Sequence, residues 1–338
     1  MDRTFLRGRH PSFRHRRELP GGRNEEMVGQ TIRQLGVRDK VVISTKAHVR
    51  GPGQSNPAET KAEMLKTFDG SLNRLQMDHV ETLYLHDIND AQSVNDAGVQ
   101  EAITQLKKEG KIRWAGVSTH QGQADVLNAL ARSGFWDIAL AAFNYTMAEN
   151  QALIDAMKLC ASKGIGIIAM KAQAGGSKPP QQEVLGSDIQ PSVRQSAVLK
   201  WVLQHPFVTT AIPGFTKFEH IDMDVPVASN LAFTDDERKF VSNNAIKASQ
   251  EFCQQCSQCV SSCPHRVDIP TLMRSHMYAF QYANLDQARF TLAEAPANAG
   301  LDVCRSCAVC SVACSHTVDI KRKVRELMSF PTPAVVRC

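Results

Sequence analysis

Two rhythms of apolar and polar residues alternate from residue 24 to residue 249. Short continuous apolar runs at VVIST (41–45), VETLYLH (80–86), IRWAGVST (112–119), DIALAAFN (137–144), IGIIAMK (165–171) and VTTAIPG (208–214) predict six strands covered on both faces. Between them the spacing changes to that of helices. Residues 58–75 place Met64, Leu65, Phe68, Leu72 and Leu75 on one face, and further helices are expected over 99–110, 124–133, 150–163 and 192–204. Ahead of the first strand, Asn24 is a candidate N-cap, Glu25 and Glu26 suit a first turn, and Gly36 ends the helix. Thr234 and Glu237 form a capping box that opens a last helix toward Ser249.

Strict alternation of strand and helix with short connections implies a parallel α/β architecture. The candidates are an open doubly wound sheet and a (β/α)8 TIM barrel. A dinucleotide fold wants GxGxxG after its first strand, and Gly51-Pro52-Gly53 lacks that pattern. Polar residues instead stand at strand C-termini: Lys46, His86, Ser118, Asn144 and Lys171. Barrel enzymes place their sites there, so the expectation is a (β/α)8 barrel, incomplete because six strands are recognisable.

The pattern changes again after residue 250. Cys253, Cys256, Cys259 and Cys263 follow the spacing C-x2-C-x2-C-x3-C, and Cys304, Cys307, Cys310 and Cys314 repeat it. This is the bacterial ferredoxin spacing for two [4Fe–4S] clusters, in which the fourth cysteine of each run ligates the other cluster. The expected sets are Cys253, Cys256, Cys259 and Cys314 for one, and Cys304, Cys307, Cys310 and Cys263 for the other. CPHRVDI after the first run answers CSHTVDI after the second, with Ser315 where the pattern prefers proline. Zinc sites pair two CxxC units across a longer gap, and disulfide frameworks belong to small secreted chains. Between the runs, Leu272, Met273, His276, Met277, Phe280 and Leu285 recur at helical spacing, so the module is helical and ferredoxin-like.

Charge alters the picture only at the start. The formal charge of the 338 residues is +5, and residues 1–23 hold seven arginines against Asp2 and Glu18, which accounts for all of it. The rest is neutral and implies no nucleic-acid partner. No apolar run approaches a membrane span. No apolar segment follows Arg16-Arg17 as an export signal requires, so a cytoplasmic protein without a membrane partner is expected. Residues 1–22 read as an irregular basic segment, 23–249 as the barrel and 250–338 as the iron–sulfur module. Cys160, among Leu153, Met157 and Ala161, reads as a small core residue.

Several of these stretches together resemble the aldo/keto reductase family. SLNRLQMDHVETLYLHD is similar to its helix–strand signature ending in a histidine, VVISTK to the strand ending in a lysine, and GVSTH and AIPG to strand ends that hold the nucleotide. The resemblance runs from about Gly21 to Ser249, and one subgroup of that family carries a C-terminal tandem iron–sulfur module. It implies a (β/α)8 barrel that binds NADP or NAD and reduces a small carbonyl substrate by hydride transfer. Lys46 would tune the proton donor and His86 would orient the carbonyl. Ser118, Thr119 and Asn144 would lie near the carboxamide, and Gly214, Phe215, Thr216, Lys217 and His220 would line the adenosine-phosphate loop. His220 and Phe215 occupy the positions that usually read a 2′-phosphate, and Met170 stands where a stacking tyrosine is common. The motif places Pro20 at the family's proton-donor tyrosine and His15 at its aspartate.

Three functions therefore compete. One is an NAD(P)H-dependent reductase with an iron–sulfur electron-transfer domain and a redox-protein partner, weakened by the absent tyrosine. The second is a non-catalytic iron–sulfur relay or partner-binding protein on a scaffold barrel. The third is a truncated gene product lacking the family's N-terminal segment, with residues 1–20 irregular and the sheet open beside Val41 to Thr45. No flavin motif is visible to divide a hydride between one-electron clusters.

Overall fold

The computed structural model describes residues 12–14, 22–49, 56–173, 191–215, 218–243, 251–307, 309–316 and 318–329. Its chain divides into two compact units. The first holds Met1–Phe143, Asn150–Met170 and Leu203–Ile212; the second holds Asn144–Glu149, Lys171–Val202 and Pro213–Cys338.

Seven parallel strands follow one another in sequence order: β1 (Ser12–Arg14), β2 (Val42–Ala47), β3 (Val80–Leu85), β4 (Ile112–Ser118), β5 (Ile138–Ala142), β6 (Gly166–Met170) and β7 (Thr210–Ile212). A sequential order has no switch point, so the doubly wound alternative is excluded. Among the described residues β1 and β7 each have one neighbour, which makes this an incomplete (β/α)8-type barrel. All six strands read from the sequence are present. The seventh corrects the reading of an open edge. Ser12, Phe13 and Arg14 pair with Val42, Ile43 and Ser44, so the edge of β2 finds backbone partners where none is apparent from composition. The rest of residues 1–20 lies outside the described residues.

The helices of the first unit are α1 (Arg23–Leu35), α2 (Pro57–Leu75), α3 (Ala97–Lys108), α4 (Gln123–Ser133) and α5 (Gln151–Ser162). Asn56, Asp96 and Asn150 accept N-terminal amides of α2, α3 and α5. Asn24 does not cap α1. Gly22, at φ 74, takes that place without a side-chain bond, and Asn24 lies inside the helix. Gly36 ends α1 in the left-handed conformation, as expected. Close approach fixes the first two helices together: a Cβ on Gly29 would lie 2.0 Å from the Leu75 carbonyl oxygen. There Glu25 is fully buried and accepts from Thr45 Oγ1 at 2.7 Å and Arg74 Nε at 2.5 Å. One carboxylate thus ties α1 to β2 and α2.

In the second unit α6 (Pro191–Leu203), α7 (Phe218–Asp224) and α8 (Asp235–Ser242) accompany the cysteine module. The capping box of α8 forms as read, and Glu237 also receives Lys200 Nζ at 2.8 Å. The helix ends at Ser242, where Asn243 turns extended and bonds Phe240 O; the rest of the stretch toward Ser249 lies outside the described residues. Within the module lie α9 (Ile269–His276), a π-turn (Met277–Gln281), α10 (Leu285–Glu294), α11 (Leu301–Arg305) and α12 (Ile320–Met328). The VDI repeat has a local structural counterpart. Asp268 caps α9 through Thr271 N and Asp319 caps α12 through Arg322 N, and the Val–Ile turn before each helix recurs at 2.8 and 2.9 Å.

The buried Glu25 yields a stability prediction. Glu25→Gln leaves Arg74 without its counter-charge beside a dry Thr45, and breaking a buried ion pair costs about 3 kcal/mol at the lower end of the usual range. The urea midpoint of the barrel transition should fall accordingly with an unchanged slope. A midpoint equal to wild type would show that Arg74 is adequately solvated in the variant.

Candidate functional site

Parallel register carries the first group of candidates to one end of the sheet. Lys46 pairs with Tyr84, and Ala47 pairs with Leu85. His86 follows β3 directly, with its amide on Ala47 O at 2.9 Å. Residues two apart along a strand share a face, so Lys46, Tyr84 and His86 point the same way. The pairing of Leu85 with Val117 brings Ser118 beside His86 in the same manner. Ser118 Oγ lies 2.8 Å from His86 Nδ1 and accepts the Asp87 amide at 3.1 Å. His86 and Ser118 are buried, and Lys46 is half-buried. Gly116 makes room here, since a Cβ on it would stand 2.5 Å from the Tyr84 ring.

Thr119 is buried and donates its hydroxyl to Gln121 O at 2.9 Å. Asn89 Oδ1 accepts the amides of Gln121 at 2.9 Å and His120 at 3.4 Å, which clamps the loop after β4 to the loop after β3. Two residues absent from the sequence-based set stand in this group. The His48 and His120 rings each meet the His86 ring edge-on at 6.4 Å between centroids. Their signal was positional, because His48 is two residues beyond Lys46 and His120 two beyond Ser118.

The remaining nucleotide candidates belong to the second unit. Asn144 is buried; its Oδ1 accepts from Thr146 N at 3.1 Å and Thr146 Oγ1 at 2.7 Å. One of its amide hydrogens goes to Lys171 O at 3.2 Å. Lys171 directly follows β6 in a left-handed conformation, φ 56, and its ammonium bonds the Tyr278 hydroxyl while lying 4.1 Å from that ring's centre. Gly214 is exposed and borders Tyr282, Phe215 is about half exposed, and His220 is buried on α7. Asp224 lies on the same helix; burial pushes its carboxyl up, and Gln173 donates to it at 2.8 Å. Thr216 and Lys217 lie outside the described residues. Sequence reading singled out neither Tyr278 nor Tyr282. Neither carries a motif, and only the folded module brings them near Lys171 and Gly214.

All eight cysteines of the two runs are free thiols. Burial pushes Cys253 up to about 12, and Cys259, Cys256 and Cys314 press it further in the same direction. Burial likewise pushes Cys304 up to about 11, aided by Cys263, Cys307 and Cys310. Cys314 of the second run thus acts on Cys253 of the first, and Cys263 of the first acts on Cys304 of the second. Val267, Ile269, Leu272, Val312, Val318 and Ile320 form an apolar core with Cys259 and Cys263, and Cys253, Cys304, Cys310 and Cys314 pack against it. Among the described residues no three His, Cys, Asp or Glu side chains close around a single ion. Eight free thiols in two such runs fit the sulfur ligands that [4Fe–4S] clusters require. Cys160 is apart from these, buried on α5 with its thiol toward Leu127 O at 3.1 Å; burial raises it to about 12, as befits an inert core residue.

Comparison with known proteins agrees with this division. Residues 20–192, just over half of the chain, match the aldo/keto reductase family, and residues 252–319 match a 4Fe–4S dicluster domain. L-galactose dehydrogenase of Arabidopsis thaliana is 25% identical over 236 residues, 62% of this chain and 71% of that protein. A probable voltage-gated potassium channel subunit beta from the same plant is 44% identical over 66 residues, 19% of this chain and 20% of that protein. The match therefore spans only a fifth of the length of the second relative. An aldo/keto reductase of Klebsiella pneumoniae, solved with NADP and acetate, shares the fold with TM-score 0.53 and 24% identity over 71% of this chain and 81% of its own. None of the described helices is long and apolar enough to cross a membrane. With its sequential parallel strands, its strand-end lysine and histidine and its paired cysteine runs, the chain belongs to the aldo/keto reductase family of oxidoreductases and carries a 4Fe–4S dicluster domain.

Proposed function

We propose that this chain is a nicotinamide-dependent carbonyl oxidoreductase in which Lys46 and His86 polarise the substrate and residues 250–338 hold two [4Fe–4S] clusters. The observation that carries the reading is the bond between His86 and Ser118. Ser118 Oγ accepts the Asp87 amide, so its own proton is available for His86 Nδ1. With Ser118 as donor the imidazole proton stands on Nε2, the atom with which a neutral histidine donates to a carbonyl oxygen. Lys46 adds a positive charge from the neighbouring strand on the same face. Donors fixed in place before the reaction stabilise charge as it grows on oxygen, without reorganisation.

The candidate nucleotide residues fit a carboxamide and phosphates: hydroxyls at Ser118 and Thr119, an amide at Asn144 and an exposed glycine at Gly214. When bound, the nicotinamide supplies the hydride, two electrons at once. NADP and NAD both remain within the reading, because His220 and Phe215 stand at the positions that usually distinguish them. The substrate is a small carbonyl compound, and a redox protein is the partner of the clusters. The oxygen must finally receive a proton from a group within hydrogen-bond reach. The family resemblance puts Pro20 at that position, and proline has no proton to give. This observation favours a second reading, in which the barrel is a scaffold for an iron–sulfur relay. Titration with NADPH separates the two, since the scaffold has no need of nucleotide.

Anaerobically purified protein should contain about eight irons with matching acid-labile sulfide, two cubanes' worth. Cys314→Ser should disturb the cluster anchored by Cys253, Cys256 and Cys259, and Cys263→Ser the other. Zinc without sulfide, or damage confined to the cluster nearest in sequence, would refute the crossed assignment.

Carbonyl reduction should be slow even with saturating NADPH, by about 10²–10⁴-fold relative to a reductase with its acid in place. His86→Gln should lower the residual kcat/KM more than tenfold while leaving nucleotide affinity unchanged. Ordinary turnover that survives deletion of residues 1–22 would mean that another residue donates the proton.

A further inference from the structure

Asn144 is held at both ends of its amide by chains of contacts that lead into the cysteine module. On the oxygen side Thr146 donates to Oδ1, and the Thr146 carbonyl accepts from Gln254 Nε2 at 3.3 Å. Gln254 lies between Cys253 and Cys256, inside the first cysteine loop, and is nine-tenths buried. On the nitrogen side Nδ2 donates to Lys171 O, and the Lys171 ammonium bonds Tyr278. Tyr278 sits in the π-turn that continues α9, and α9 contributes Leu272 and Met273 to the apolar core shared by Cys259 and Cys263.

Two departures from regular backbone fall on the residues that make the second link. Lys171 occupies the left-handed region, which disfavours a residue with a β-carbon and persists only where surroundings enforce it. A π-turn is likewise rare and concentrates at functional positions. Both place side chains where unbroken strand or α-helix would not. Sequence separations of 107 and 108 residues across the two links show that neither is a local turn contact.

We propose that Gln254 and Tyr278 are positioning residues for Asn144, so that nucleotide binding and the cluster held by Cys253, Cys256, Cys259 and Cys314 are energetically coupled. The inference rests on the proposed role of Asn144 toward the nicotinamide. Gln254 cannot keep its place if the cysteine loop around it rearranges, because two of its near neighbours in sequence are cluster ligands. Any shift passes to the Thr146 peptide and on to the Asn144 amide. Coupling of two binding events is reciprocal: whatever factor the cluster lends to nucleotide affinity, the nucleotide returns to the cluster environment.

The test uses the full chain, prepared anaerobically. NADPH is titrated by its fluorescence into cluster-loaded wild type, chelator-stripped wild type and the Gln254→Glu variant, which keeps the side-chain shape and loses the N–H donor. Stripping should weaken NADPH binding about fivefold in wild type, a typical lower value for such coupling. Gln254→Glu should bind weakly when loaded and lose little more when stripped, and Gln254→Lys, which retains a donor, should recover part of the loss. The second readout is the electron paramagnetic resonance spectrum of the reduced clusters. NADP⁺ should shift one cluster's g-values in wild type and leave them in place in Gln254→Glu. If stripping unfolds the module, this spectrum of the loaded protein decides alone. Tight NADPH binding with no spectral shift overturns the coupling and leaves the nucleotide reading standing. No NADPH binding by loaded wild type overturns that reading and the coupling with it.

Discussion

Parallel pairing in unbroken sequence order is the constraint on which the barrel chemistry depends. Every strand of such a sheet ends on the same side, so residues far apart in the chain become neighbours without any dedicated contact between them. Lys46, His86 and Ser118 are brought together by the registers of β2, β3 and β4 alone. The supporting pieces protect that register. Glu25 anchors α1 behind β2, Gly116 admits the Tyr84 ring, and Asn89 fastens one strand-end loop to the next. A one-residue slip in any pairing would send these side chains to the opposite face.

The cysteine module obeys a different constraint, since its helices lie mostly outside the cysteine loops they must order. Its two halves are instead built on one device used twice, an aspartate cap with a Val–Ile turn ahead of a buried helix. Burial among these helices pushes the Cys253 and Cys304 thiols up, and neighbouring cysteines add to the shift. Iron–sulfur assembly must displace the thiol protons, because the thiolate is the form that ligates a metal.

The strands and most helices were legible because they rest on periodicity and on local caps such as the Thr234–Glu237 box. The 4Fe–4S dicluster domain was legible because the spacing of its two cysteine runs is written in the chain itself. What escaped was set by tertiary context. β1 has three residues in a stretch whose composition reads as irregular, and only the vacant edge of β2 gives them a role. Asn24 looked like a cap, but Gly22 with its positive φ serves the turn better. His48, His120, Tyr278 and Tyr282 belong to no motif; they matter through the neighbours that folding supplies.

The π-turn at Met277–Gln281 has a further implication. It is a wider turn of helix, closed from Tyr282 N to Met277 O across five residues rather than four. Such a turn acts as a phase shifter: each residue of an α-helix advances the azimuth by about 100°. Removing one residue here would restore the ordinary winding and swing everything beyond it by about that angle. Tyr282 would leave the vicinity of Gly214, while the helix would remain as apolar and as well formed as before. The alignment of Tyr282 is thus stored in a single surplus residue, and so is the seating of α10, whose Ala288 and Thr291 are buried against the module.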